Sequence, residues 1–249
     1  MKCSVVIPTR NDSAYLHRCL RALSRQTHLP DEIIVVDNGS TDDIATVLSE
    51  FPDVTCFRED IPGVAYAVRS GYDAAQHPVI LRCDADSIPT EEWVEHMAES
   101  MERHMSRKGG TQVVAVTGIA RFGPRSPLLG RVAGALYSYA YRLVGGFALG
   151  HIALWGSNMA MSSAWWHSVR DRVHLSPEIH DDYDLSFRLG PRQKVVLDHR
   201  NVMLVSWRAA ASTPRIMRQL RMAGTTMQTN WVEQKPWERM RARWTAPRG

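Results

Sequence analysis

Cysteine is scarce. Cys3, Cys19, Cys56 and Cys83 are the only four in 249 residues, and all fall in the first third of the chain. Their wide spacing matches neither a disulfide framework nor a zinc motif, so they suit buried free thiols in a reducing compartment, which points to the cytoplasm. Long apolar runs are missing too. The opening MKCSVVIPTRND has one short apolar run before Pro8, a strand pattern rather than a leader or an anchor. The Gly-rich stretch 128–154 is broken by Arg131 and Arg142 and never reaches the roughly 18 uninterrupted apolar residues of a spanning helix. Repeats and low-complexity segments are absent. So is an early Gly-rich, Lys-bearing loop, which argues against nucleotidyl transfer.

What is present is ordinary for a folded domain, 44% hydrophobic and 22% charged. The net charge of +4 is unevenly placed. From Pro214 onward eight basic residues face only Glu233 and Glu238, a net of +6 that leaves −2 for the remainder. This basic end carries Trp231, Trp237 and Trp244. It fits contact with anionic lipid or a phosphate-bearing substrate, at the inner face of a membrane, and it equally fits a solvated helix face with packing tryptophans. Nucleic acid is not expected as a partner.

In the first third, β-branched runs alternate with helical periodicity. Residues 4–7, 32–36, 54–57 and 79–83 read as strands; Leu16, Cys19, Leu20 and Leu23, then Ile44, Val47, Leu48 and Phe51, then 64–75, read as helices. That alternation predicts an α/β domain with a mostly parallel central sheet flanked by helices. Such sheets bind ligands beyond the carboxyl ends of their strands. There lie the polar clusters 9–12, 37–42 and 84–87. A helix over 91–107, N-capped by Thr90, ends at Lys108, Gly109 and Gly110, where we place a lobe boundary: 1–110 and 111–249. Beyond it the pattern predicts helices over 128–149, 165–169, 184–189 and 214–230, and strands over 113–116, 195–197 and 202–205.

CDADS after the apolar VIL places Asp84 and Asp86 at a strand end. Two carboxylates separated by one residue can offer hard oxygens to Mg²⁺ or Mn²⁺, although a bare D-x-D also marks a mere turn. A second cluster, HDDYDLSFRLG, carries Asp181, Asp182 and Asp184. Acidic residues cap helix starts, but three exceed what a cap requires, and clustered carboxylates raise a pKa, which makes one of them a candidate general base. His180 and His199 are candidates for a metal shell or for structural roles. Trp165 and Trp166 read as core packing or as an acceptor platform. Arg208, after a strand, suits either diphosphate oxygens or stacking on Trp207.

Taken in order, VVIPTRND, VVDNGSTDD, the Gly-led GVAYAVRSG, ILRCDADSIPTEEW, GSNMAM and DDYDLSFRLG resemble glycosyltransferase family 2 over about residues 4–190. The resemblance implies a GT-A fold, Rossmann-like with a smaller acceptor-side lobe. It implies a UDP- or GDP-sugar donor, a divalent metal, a hydroxyl acceptor of the glycan, lipid-linked or small-molecule kind, and inversion at the anomeric carbon. It implies that Pro8, Arg10, Asp37 and Asn38 hold base and ribose, with Arg69 near the nucleotide. Asp84 meets ribose or metal, and Asp86 ligates the metal. Gly156, Ser157 and Asn158 shape the sugar and acceptor pocket, and Asp182 is the base. Asp181 stands where the family more often has Glu, and Asn38 where it more often has Asp.

Two other readings stay open at this level. A haloacid-dehalogenase-type phosphatase also has a D-x-D after a buried strand, although it leaves IPTRND and VVDNGS without a role. An inactive nucleotide-sugar-binding module would keep the fold without turnover.

Overall fold

All seven residues of β1 (Cys3–Thr9) are buried, as a strand covered on both faces must be. The computed structural model describes residues 1–105, 111–123, 127–207 and 213–246. After β1 come α1 (Ser13–Leu23), β2 (Glu32–Asp37), α2 (Ile44–Ser49), β3 (Thr55–Arg58), α3 (Val64–Ala74) and β4 (Val79–Arg82). There follow β5 (Ser87–Pro89), α4 (Trp93–Met105), β6 (Gln112–Gly123), α5 (Pro127–Leu149), β7 (Met159–Ser162) and α6 (Ser163–Val169). The chain then forms α7 (Asp181–Phe187), β8 (Gln193–Ser206), α8 (Thr213–Glu233) and α9 (Pro236–Thr245).

One eight-stranded sheet runs β3-β2-β1-β4-β7-β6-β8-β5. The first four strands are parallel, the product of right-handed βαβ crossovers. β7 then runs antiparallel to both β4 and β6, β8 is parallel to β6, and β5 closes the edge antiparallel to β8. The sheet thus continues past residue 110 without a break in pairing; residues 106–110, with Lys108, Gly109 and Gly110, lie outside the described residues.

Helices α1 and α4 cover one face of the sheet and α3 and α6 the other, each burying the apolar stripe read from the sequence. Trp165 and Trp166 are buried in the second of these cores, Trp166 edge-on to Tyr72 with ring centres 5.0 Å apart, which settles them as packing residues. Three cysteines are buried free thiols, as expected, but Cys56 is exposed. It sits on β3, the edge strand, whose four residues all face solvent. The two short strands expected at 195–197 and 202–205 are one strand, β8. Between Leu197 and Val202 its pairing with β6 slips, so the polar residues 198–201 bulge out of register.

A buried amide holds the two halves together. Asn158, with no exposed surface, accepts from the Trp93 indole N–H of α4 at 2.8 Å and donates to the carbonyls of Ile119 (3.2 Å) and Asn201 (3.0 Å). Asn158→Ala strands all three partners in a dry environment, each at roughly 1–3 kcal/mol. It should therefore lower stability by at least about 2 kcal/mol, read as a fall in the urea midpoint at unchanged m-value.

Candidate functional site

The parallel register sets the ends of β1, β2 and β4 side by side, with Thr9 opposite Asp37 and Val6 opposite Arg82. The loops that follow are clipped to each other. Asn11, held at a φ of 54°, accepts the Thr41 N–H at 2.7 Å and donates its own N–H to Ser40 Oγ at 3.0 Å. The Ser13 N–H donates to Asp42 at 2.7 Å. Pro8 is buried within β1 and Arg10 is exposed on the loop. Asp37 accepts the Ser40 N–H at 2.8 Å and lies 3.8 Å from Arg58. Asn38 turns inward: its amide donates to the carbonyls of Glu59 and Ile61 and accepts the Gly63 N–H at 2.8 Å. Its side chain shapes this rim from behind. Arg69 pairs with Asp73 and Asp171.

The acidic clusters meet around a residue that the motifs did not single out. Arg82, the last residue of β4, is almost wholly buried; its guanidinium pairs with Asp181 and, at 3.1 Å, with Asp84. A lone arginine in the apolar run VILRCD is the signal that was there to read, since a buried charge needs partners. Ser157 Oγ donates to the other Asp84 oxygen at 2.5 Å, and the Gly156 N–H donates to Asp182 at 2.7 Å. A Cβ on Gly156 would sit 2.6 Å from the Arg82 guanidinium carbon, so only glycine lets the loop close over that group. Asn158 braces the same loop through the contacts described above, and not by reaching the cleft.

Asp181, Asp182 and Asp184 all occupy the first turn of α7, earlier than the helix start expected at 184. Asp184 takes no part in the cleft: it binds the His174 ring at 2.7 Å and the Asn230 amide at 2.8 Å. His180 is not left for a metal shell. Its Nδ1 lies 2.5 Å from Asp182 Oδ1, which also accepts the Tyr183 N–H at 2.7 Å. His199 is exposed in the β8 bulge, and Arg208 lies outside the described residues.

These contacts drive neighbouring carboxyls apart. Burial pushes Asp182 up, but the His180 charge and hydrogen bond, then Arg82 and the Gly156 N–H, outweigh it and hold Asp182 at about 2. Burial lowers His180, and the Asp182 carboxylate more than reverses that, so His180 ends above its ordinary value. Asp181 is raised, by burial first and by the charges of Asp182 and Asp84, against the pull of Arg82 and His180.

Among the described residues no three His, Cys, Asp or Glu side chains gather as a ready-made metal cage. Asp84 and the half-buried Asp86 are the carboxylates at the β4 end. Two hard donors suit a Mg²⁺ or Mn²⁺ ion that takes its remaining oxygens from a phosphate and from water.

The ion pair sets a pH dependence. A raised His180 adds stability below its unfolded value of about 6.5, and that contribution is lost as pH rises through the folded value. The lowered Asp182 adds stability above about pH 4, lost as pH falls towards about 2. His180→Gln should thus destabilise most between about pH 4 and about pH 6.5, with the difference shrinking in alkaline buffer; urea midpoints of both proteins across pH check it.

The family model for glycosyl transferase family 2 matches residues 4–128. Glycosyltransferase AglE of Haloferax volcanii is 30% identical over 126 residues, 48% of this chain and 39% of that protein. Validoxylamine A glucosyltransferase of Streptomyces hygroscopicus subsp. limoneus is 36% identical over 99 residues, 37% of this chain and 22% of that protein. The chain therefore matches well under half the length of these relatives. Among solved structures, the mannosyltransferase PcManGT from Pyrobaculum calidifontis, in complex with GDP-Man and Mn²⁺, superposes with a TM-score of 0.68 at 15% identity, covering 97% of this chain and 68% of that one. Glucosyl-3-phosphoglycerate synthase from Mycobacterium tuberculosis, in complex with Mn²⁺, UDP and glucosyl-3-phosphoglycerate, superposes with a TM-score of 0.58 at 19% identity, covering 93% and 79%. The fold is of the GT-A type, and the chain belongs to glycosyl transferase family 2.

Proposed function

We propose that the chain is an inverting glycosyltransferase that moves a sugar from a nucleotide-diphosphate sugar to a hydroxyl acceptor. The observation that carries this reading is the junction of Asp84 with Asp181 and Asp182 through Arg82, Gly156 and Ser157, which brings carboxylates of the two acidic clusters together. Family membership favours glycosyl transfer over the phosphatase reading, since the matched residues 4–128 include the β1 and β2 loops that the phosphatase reading leaves without a role.

In this reading residues 1–110 hold the donor, a UDP- or GDP-sugar, with Pro8, Arg10 and Asp37 around the base and ribose. The neighbours bound to UDP with Mn²⁺ and to GDP-Man with Mn²⁺ support both the donor class and a divalent cation. Asp84 and Asp86 hold the metal, Mg²⁺ or Mn²⁺, which when bound supplies the counter-charge for the departing diphosphate. Residues 111–249 hold the acceptor. Asp182, ionised at any working pH, takes the proton of the acceptor hydroxyl. The oxygen then attacks the anomeric carbon from the side opposite the diphosphate, whose bond to that carbon breaks as the new one forms. Gly156 and His180 keep the Asp182 carboxylate in place. We place this work in a reducing, cytoplasmic compartment, where the buried Cys19 and Cys83 thiols, in hydrogen-bond contact at 3.7 Å, stay reduced.

Asp86→Ala, or excess EDTA on the wild type, should abolish both turnover and the Mn²⁺-dependent thermal stabilisation by UDP; full activity in EDTA would remove the metal from the reading. Asp182→Asn preserves shape and removes basicity, so turnover should fall by about 10² to 10⁴ while donor affinity changes little. Asp181→Asn and Asp184→Asn should cost less. Donor binding by the wild type with no turnover on any hydroxyl acceptor would identify a binding module instead, and a product that kept the donor's anomeric configuration would overturn the single displacement.

A further inference from the structure

Helix α5 is built inside out. Its inward face is small: Gly130 and Gly134 lie so close to β6 that a Cβ on either would overlap the carbonyl oxygens of Phe122 and Ala120, and a Cβ on Gly145 would sit 2.7 Å from that of Ala153. Ser138, on the same face, accepts the Ala120 N–H at 3.0 Å. Most of its large side chains point outward instead; Tyr141 and Leu149 turn inward, and Tyr137 lies between the two faces. Leu128, Val132, Leu136, Tyr139, Leu143 and Phe147 recur every three or four residues as one exposed stripe, with Leu128 72% and Phe147 74% exposed. Among the described residues α5 supplies nine of the twenty exposed large apolar side chains. Monomeric soluble proteins rarely leave so large a continuous apolar face in water.

Charge decides what covers it. α5 contains no acidic residue, whereas Arg131, one position before Val132 of the stripe, is exposed. A second copy seated on this face by two-fold symmetry would oppose arginine to arginine with no carboxylate between them. An anionic lipid surface matches both the apolar stripe and the exposed Arg131 at its side. No described helix is long and apolar enough to cross a membrane, so α5, about 34 Å long at 1.5 Å per residue, would lie along the surface.

The same helix walls the cleft. Tyr137 meets Trp155, next to Gly156, with ring centres 6.0 Å apart, and Tyr141 stacks on Tyr183, next to Asp182, at 4.7 Å. Burial, and after it the charges of Asp182, Asp84 and Asp86, push the Tyr137 hydroxyl up to about 12. The apolar stripe and the side of α5 that faces Trp155 and Tyr183 are therefore on opposite faces of one helix.

We propose that the outer face of α5 docks on an anionic bilayer and so presents the cleft to hydroxyl groups at the lipid surface, which makes the acceptor an amphiphile. The docking stands on the helix face alone; its bearing on the acceptor rests on the proposed glycosyl transfer. Co-sedimentation of the full chain with vesicles of equimolar phosphatidylglycerol and phosphatidylcholine, against phosphatidylcholine alone, tests the docking. Binding should favour the anionic vesicles by roughly tenfold or more and weaken in high salt. The pair Leu136→Ser and Phe147→Ser should lower it at least about tenfold, and Arg131→Gln should reduce the preference for anionic lipid. Equal binding to both vesicles, unaltered binding by the serine pair, or a dimer in lipid-free buffer that the serine pair dissociates would each overturn the proposal. Thermal stabilisation by UDP and Mn²⁺, measured on the same variants, should match the wild type. Its loss in the variants would assign the vesicle result to misfolding. Leu143→Ser alone then decides: binding weakened about threefold supports the docking, and unchanged binding overturns it. Vesicle binding without any donor stabilisation in the wild type would leave the docking intact and sink the transferase reading.

Discussion

Asp84 follows a strand about one third of the way along the chain, while Asp181 and Asp182 open a helix about one hundred residues later, and the three come together because a guanidinium lies between them. Carboxylates so placed repel, and burial raises that cost. Arg82 offsets it with a planar fork that reaches Asp84 and Asp181 at once, a geometry that an ammonium group does not provide. The arginine is held by position: it ends β4, is flanked by β1 and β7, and is roofed by Gly156, where a methyl group would collide with it. β4, the Gly156 loop and α7 are thereby made dependent on one another. Removing one partner of such a buried set strands a charge, typically at about 3–5 kcal/mol.

Sequence and structure agree best where local pattern is also global pattern. Strands β1 to β4 and helices α1 to α3 match their predicted spans to within a few residues at each end, because each element except the solvent-facing edge strand β3 buries apolar side chains against the sheet. Past α4 the agreement thins. β7 reads MAMS, without a β-branched residue, and owes its extended form to being sandwiched between β4 and β6. The bulge that joins two expected strands into β8 follows from pairing with β6, a partner some eighty residues away.

The site divides in the same way. The residue types at the strand ends announced a ligand-binding edge, but the same donors and acceptors serve a loop as well as a ligand. Asn38 and Asn158 looked like ligand groups, yet both amides satisfy backbone partners. Asp184 looked like a third acid of the cluster, yet it answers His174, Arg188 and Asn230. Such allocations depend largely on groups distant in the chain, which no periodicity encodes. His180 is adjacent in sequence to its partner's neighbour, and its role was still hidden, because the choice between a metal and Asp182 is made by ring orientation.

The opposed shifts of Asp181 and Asp182 bear on which of them suits the proposed base. Two titratable neighbours whose environments push their pKa values apart are suited to different tasks. Asp181 is raised by burial and by neighbouring carboxylates, and its charge is matched by Arg82; protonating it would cost that ion pair. Asp182 is kept ionised by His180, so it stands ready to receive a proton at any working pH. A carboxylate at about 2 is weakly basic on its own, and a base works best with a pKa near the operating pH. His180 supplies the missing adjustment: much of what lowers Asp182 is the positive charge on that ring, and the ring can lose its proton. With His180 neutral and its remaining proton on Nδ1, the carboxylate keeps that hydrogen bond, the Gly156 and Tyr183 N–H groups and the more distant Arg82, but loses the imidazolium charge, and its basicity rises. The pair is therefore a carboxylate whose strength is set by an imidazole 2.5 Å away, while Asp181 and Arg82 hold the frame in which that adjustment takes place.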